Sequence, residues 1–127
     1  MATTNQARIL CVDDEPFFLT VIEEQLAPKG YEIIKAQDGI TAIRLLKEVR
    51  PHMVLLDIMM PGQNGIDILK EIKAIDPSVG VIMVTSVTDI EIARQAVNEG
   101  AYDYVTKPID FDYLETTILI KFFKQIG

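Results

Sequence analysis

Four short segments of the chain carry side chains that could do chemistry together. Asp13-Asp14-Glu15 is a run of three acids, and Asp57 follows the apolar run Met53–Leu56. Thr85-Ser86 offers hydroxyls, and Lys107-Pro108 an ammonium. Carboxylates crowded into one cleft repel one another and need a proton or a cation. An all-oxygen donor set suits Mg²⁺, which keeps several waters and takes one or two carboxylates plus a phosphate. A carboxylate beside such a metal can act as a nucleophile and form an acyl phosphate. Lys107 can then balance charge on a phosphoryl group in transfer, and Thr85 can hydrogen-bond one of its oxygens. Together these residue types describe a phosphoryl-accepting aspartate site.

Such a set works only if the fold brings the four segments to one place. Short β-branched or apolar runs lie at residues 8–12, 31–36, 53–56, 79–85 and 102–106. Segments with helical spacing lie at 16–27, 39–49, 65–75, 89–99 and 110–125. Pro16 suits a first helical turn, Asp38 an N-cap, and Gly100 the residue just past a helix. The second helix is expected to place Ile40, Ile43 and Leu46/Lys47 on one side, and the third Ile68, Ile72 and Ile75. The fourth is expected to bury Ile90, Ala93 and Val97, and the fifth Phe111, Leu114, Ile118 and Phe122.

Strand–helix alternation with short connections points to βαβ units around one parallel sheet. Met53–Leu56, apolar at every position, fits a strand covered on both faces. The expected fold is a doubly wound, flavodoxin-like (βα)5 α/β domain over residues 1–127, with sheet order 2-1-3-4-5. In such sheets ligand chemistry gathers just past the carboxyl ends of the strands, where Asp13, Asp57, Thr85 and Lys107 all fall.

The 12 basic and 19 acidic residues leave a net charge of −7, which argues against a nucleic-acid or anionic-membrane surface. Apolar residues make up 49% of the 127, enough for a packed core and too many for a disordered chain. A lone cysteine, Cys11, cannot build a disulfide framework and favours a reducing compartment. Residues 1–6 are polar, with no apolar signal region, and the apolar runs are far shorter than a membrane span. A cytoplasmic location is expected.

Val12-Asp13-Asp14-Glu15, Leu55-Leu56-Asp57-Ile58-Met59-Met60-Pro61-Gly62, Val84-Thr85-Ser86 and Gly100-Ala101-Tyr102-Asp103-Tyr104-Val105-Thr106-Lys107-Pro108 together resemble the receiver domain of two-component response regulators. The likeness spans essentially the whole chain and is similar to the stand-alone chemotaxis-type receiver. It implies that Asp57 is the phosphoacceptor. Asp13, Asp14, the Asp57 carboxylate and the backbone carbonyl of Met59 would hold Mg²⁺. It further implies that Lys107 contacts the phosphoryl oxygens, that Thr85 moves toward them, that Tyr104 is the switch aromatic, and that Lys107-Pro108 is cis. The implied donor is a sensor histidine kinase or histidine phosphotransfer protein. The implied reader is a downstream effector protein or domain that recognises the helix 4–strand 5–helix 5 face. Such a chain is a switch that assists its own phosphorylation and slow dephosphorylation, not a turnover enzyme.

Other readings fit less well. A haloacid-dehalogenase-like phosphatase needs a second aspartate two residues after the nucleophile, where Met59 stands. A flavin carrier needs a Ser/Thr/Gly-rich phosphate loop after strand 1, where Asp13-Asp14-Glu15 would repel phosphate. A receiver-like chain that only binds proteins sits poorly with a complete acceptor set. His52 lies away from the acids, Gly62 and Gly65 suit a turn and a helix start, and Cys11 suits the core. Met59 and Val87 are apolar where a water attacking a phosphoaspartate would need polar partners, so slow self-dephosphorylation is expected. Tyr113, Ile120 and Phe123 fall off the fifth helix's core stripe, and Ile92 and Ala96 off that of the fourth. An apolar patch for a homodimer or partner is the corresponding expectation.

Overall fold

The computed structural model describes residues 7–126; the polar stretch 1–6 lies outside the described residues. The alternating pattern becomes five strands: β1 (Arg8–Val12), β2 (Glu32–Ala36), β3 (Met53–Leu56), β4 (Gly80–Thr85) and β5 (Asp103–Thr106). Five helices follow them in turn: α1 (Pro16–Leu26), α2 (Gly39–Val49), α3 (Gly65–Ile75), α4 (Ile90–Asn98) and α5 (Phe111–Ile126). The strands form one parallel sheet of order β2-β1-β3-β4-β5, which is the expected doubly wound arrangement. A separate two-residue antiparallel ladder, Met59–Met60 with Gln63–Asn64, turns at Gly62, whose φ of +69° is the left-handed region that favours glycine.

Successive strand side chains face opposite sides, so each strand feeds two half-cores. On one side Ile9, Cys11, Leu55, Ile82 and Val84 pack with Leu19 and Ile22 of α1 and Leu114 and Ile118 of α5. On the other, Leu10, Val12, Val54, Leu56, Val81 and Met83 pack with Ala42 and Leu46 of α2, Leu69 and Ile72 of α3, and Ala96 of α4. β3 is buried at every position because helices cover both its faces. Asp38, Asn64 and Asp89 cap α2, α3 and α4, their carboxylate or amide oxygens accepting from the N–H groups of Thr41, Ile66 and Glu91. No helix is long and apolar enough to cross a membrane, among the described residues.

The expected helix faces hold for α5, where Leu114 and Ile118 are buried, Phe111 and Phe122 partly so, and Tyr113, Ile120 and Phe123 exposed. They fail on α4. Ile90 and Val97 lie in solvent, whereas Ala96 is buried and Ile92 packs against the core. Both stripes have helical spacing, so periodicity does not rank them. The short connections to β4 and β5 set the helix's rotation, with Ala101 N–H donating to the Ala96 carbonyl and Tyr102 N–H to that of Val81. On α2 the buried stripe is Gly39, Ala42 and Leu46, so Ile40, one position on from Gly39, is turned away from it and is 82% exposed. Ile75, the last residue of α3, is exposed, although the helix end is closed by the Asp76 N–H donating to the Ile72 carbonyl at 2.8 Å.

Candidate functional site

Backbone register brings the chemistry together. Asp57 N–H donates to the Val12 carbonyl at 3.1 Å, continuing the β1–β3 ladder one step beyond Leu56. Asp13 and Asp57 therefore leave neighbouring strands side by side. On the next strand pair, Lys107 N–H donates to the Thr85 carbonyl at 2.8 Å, so the lysine and the threonine leave β5 and β4 together. The Lys107-Pro108 bond is cis.

Lys107 Nζ lies 2.7 Å from Asp13 Oδ2 and 3.4 Å from Asp57 Oδ2. It also stands 4.0 Å over the ring of Phe18, whose face favours a cation. Asp13 and Asp57 are buried, Asp14 is half-buried, and one carboxylate oxygen of each lies within 4.8 Å of the others. Glu15, the last of the acidic run, is exposed and stays out of this cluster; its N–H donates to Asp13 Oδ1 at 2.9 Å, turning the chain into α1. Met59 N–H reaches Asp57 Oδ1 at 3.3 Å. Thr85 is buried, and its hydroxyl oxygen accepts from Val87 N–H at 3.3 Å. Tyr104, partly buried against the α2–α3–α4 side, donates its hydroxyl to the Val87 carbonyl at 2.7 Å.

The electrostatics are unbalanced. Burial pushes the Asp13 carboxyl above its ordinary value even though the Lys107 hydrogen bond pulls it down. Burial lowers Lys107, but the Asp13 hydrogen bond and the charges of Asp13 and Asp57 outweigh it and hold the ammonium above its ordinary value. Three carboxylates face one ammonium, a deficit that one divalent cation matches. Oxygen-only donors fit a hard ion such as Mg²⁺, so the residues present suit that metal.

Several contributors escaped the sequence reading. Phe18 and Phe17 are adjacent aromatics at the start of α1, and nothing in their order shows which one turns inward; Phe18 does, while Phe17 is left in solvent. Gly65 was legible only as a helix start. In the fold, a Cβ there would overlap the Asp57 carbonyl oxygen and come within 2.5 Å of Ile58 Cα, so α3 begins in contact with the backbone at Asp57 and Ile58. Its glycine was the available signal. His52 lies at the opposite edge of the sheet, where Nδ1 accepts from Arg8 N–H at 2.9 Å, and Cys11 is buried, as read.

The response regulator receiver domain model matches residues 9–119. The transcriptional regulatory protein ZraR of Klebsiella oxytoca is 38% identical over 113 residues, covering 89% of this chain and 26% of that protein. Sporulation initiation phosphotransferase F of Bacillus subtilis (strain 168) is 32% identical over 111 residues, covering 87% of this chain and 90% of that one. The chain thus spans about a quarter of the first relative and nearly all of the second. Among solved structures, a CheY-like response regulator receiver domain protein from Methanospirillum hungatei JF-1 aligns with a TM-score of 0.91 at 28% identity, covering 95% of this chain and 97% of that one. A receiver domain protein from Clostridium thermocellum gives a TM-score of 0.88 at 34% identity, over 94% and 96% of the two chains. Fold, strand-end chemistry and relatives converge on one assignment: the chain belongs to the response regulator receiver domain family of two-component systems.

Proposed function

We propose that the chain is a phosphorylation-dependent switch in which Asp57 accepts a phosphoryl group from a histidine kinase or histidine phosphotransfer protein. The observation that carries this reading is the Lys107 ammonium shared by Asp13 and Asp57 inside a cluster of three carboxylates. Asp13, Asp14, Asp57 and the backbone carbonyl of Met59 would hold Mg²⁺. When bound, the ion supplies positive charge against the carboxylates and the phosphoryl oxygens. An Asp57 carboxylate oxygen attacks phosphorus, the P–N bond of the phosphohistidine breaks, and the departing imidazole keeps the electron pair and takes up a proton. Lys107 follows the new charge from the carboxylates to the phosphoryl oxygens.

The same geometry supports a switch. Thr85 uses its oxygen toward Val87 N–H, which leaves its own proton for a phosphoryl oxygen. Drawing Thr85 toward Asp57 pulls on the loop 86–89, and the Tyr104–Val87 hydrogen bond ties the aromatic to that loop. The rearranged surface is α4, β5 and α5, where Ile90, Val97, Tyr113, Ile120 and Phe123 already stand in solvent. An effector protein or domain, or a second copy, would read that face. Sedimentation equilibrium with and without beryllofluoride tests self-association; a monomer in both states at high concentration removes the dimer. Neither Met59, largely exposed beside Asp57, nor Val87 can orient an attacking water, so phosphoryl loss is slow and a half-life of seconds in Mg²⁺ buffer contradicts that reading. The cytoplasm, where such donors work, is the proposed location.

Acetyl phosphate with Mg²⁺ should add one labile phosphoryl group by mass spectrometry. The adduct should be absent in Asp57→Ala and after chelation of the metal. Labelling that persists in Asp57→Ala sinks the assignment.

A further inference from the structure

The largest hollow described lies away from the acidic site. A groove of about 560 Å³ separates the N-terminal turns of α2 and α3, bordered by the turn at Gly62–Gln63. Ile40, Ile43 and Ile68 give it apolar walls, and Ile40, at 82% exposed, is the most exposed of the large hydrophobic residues described. The groove is preformed. Gln63 Oε1 accepts from Gly39 N–H at 2.6 Å, and a Cβ on Gly39 would come 2.7 Å from that oxygen and 2.9 Å from Ile68 Cδ1.

Its rim is acidic. Asp67 and Glu71 stand one turn apart on α3, and like charges at that spacing disfavour a helix. Neither has an ion-pair partner among the described residues. Asp67 alone is explained by its place in the first turn, where an acid favours the helix dipole. Glu71, further along, has no such reason. Uncompensated acids flanking an apolar floor are complementary to a ligand that carries cations beside an apolar side chain.

We infer that this groove takes a cationic amphipathic helix of a partner protein. One apolar side chain of that helix seats on Ile40, Ile43 and Ile68, and Lys or Arg side chains meet Asp67 and Glu71. A second copy of a chain with net charge −7 would bring like charge to the rim. Anionic lipid and nucleic acid are repelled for the same reason. The groove lies open along its length, whereas small-ligand sites enclose most of what they bind. None of the groove residues belongs to the proposed phosphoacceptor chemistry, so the two readings stand or fall separately.

Amide shifts of the ¹⁵N-labelled chain are followed while three peptides are added: a Leu/Lys helix with one apolar face, its Glu-for-Lys counterpart, and a shuffled Leu/Lys sequence without that face. The Leu/Lys helix should bind saturably, with shifts centred on Ile40, Ile43, Gln63, Asp67, Ile68 and Glu71. The other two should not saturate. Ile40→Asn, an exposed position, should weaken binding by roughly tenfold or more. The double variant Asp67→Lys/Glu71→Lys should exchange the preference, taking the Glu peptide and refusing the Lys one. If that variant lacks a native amide spectrum, Asp67→Asn/Glu71→Gln replaces it and should lose the Lys peptide. Absence of saturable binding overturns the inference. So do shifts centred on Asp13, Asp14 and Asp57, equal binding of the shuffled peptide, and an unaltered charge preference in the variants.

Discussion

α3 and α4 cover the same side of the sheet, follow neighbouring strands, and are capped alike by Asn64 and Asp89. Their anchoring is opposite. α3 buries Gly65, Ile66, Ile68, Leu69 and Ile72, whereas the only buried residue of α4 is Ala96, with Ile92 partly covered. Burying a large aliphatic side chain stabilises by about 1.5–3 kcal/mol, and an alanine contributes far less. The helix after Asp57 is therefore fixed to the core, and the helix after Thr85 is held by little. A two-state element must be drawn from the low-stability part of a structure. The contrast places rigidity behind the proposed acceptor and mobility behind the proposed sensor of its phosphorylation.

The strongest way to break that comparison is to unseat α3. Leu69→Ala empties a fully buried position and should destabilise the fold by about 2–5 kcal/mol in denaturant titration. A loss below about 1 kcal/mol would mean that α3 is no better anchored than its neighbour. Gly65→Ala acts at the helix's other attachment. Its Cβ would meet the backbone at Asp57 and Ile58, which has no flexible end to give way, so a loss of about 1–3 kcal/mol is expected. Because the displaced backbone carries Asp57, acceptance of a phosphoryl group from acetyl phosphate should fall as well. Unchanged stability and labelling together would show that α3 and the backbone at Asp57 and Ile58 are not in rigid contact.

On the mobile side, Tyr104→Phe deletes the hydroxyl that donates to the Val87 carbonyl. The expected loss is about 0.5–1.5 kcal/mol, one hydrogen bond's net contribution. Its distribution sharpens the contrast more than its size. Native-state amide exchange should speed up in residues 86–98 and stay unchanged in α3. Equal acceleration in both helices would mean that the two open as one unit.

Strand-end chemistry was legible because it rests on local signals, whereas the sheet order followed only from the arrangement commonest for five strand–helix units. The apolar run of β3 reports burial on both faces, and acids or a lysine directly after such runs can only sit at the carboxyl edge. Asp38 and Gly100 were readable as helix boundaries for the same reason, one capping Thr41 N–H and the other at φ +108°. What stayed hidden depends on rotation and close approach. Ile90 and Ile92 have the same chemistry on different sides of one helix, each heading a stripe at helical spacing, and only the connections joining α4 to the sheet decide which faces inward. Phe17 and Phe18 pose the same ambiguity at α1. The approach of Gly65 to Asp57 joins positions eight residues apart through a turn whose geometry the residue types leave open.

The smallest expected effect discriminates most sharply between the two views of α4. Were Ile90 and Val97 its packed face, as periodicity alone allows, replacing either by serine would cost on the order of 2 kcal/mol. In the fold they are 69% and 54% exposed, and neither belongs to a buried cluster. Ile90→Ser and Val97→Ser should therefore each change stability by no more than about 0.5 kcal/mol, the range of ordinary surface substitutions. A loss above about 1 kcal/mol in either would rotate α4 back onto the expected stripe and give it an anchor comparable to that of α3. A null result on stability, with weakened self-association of the beryllofluoride-treated chain, would mean instead that these two side chains are kept apolar for a surface they meet outside their own fold.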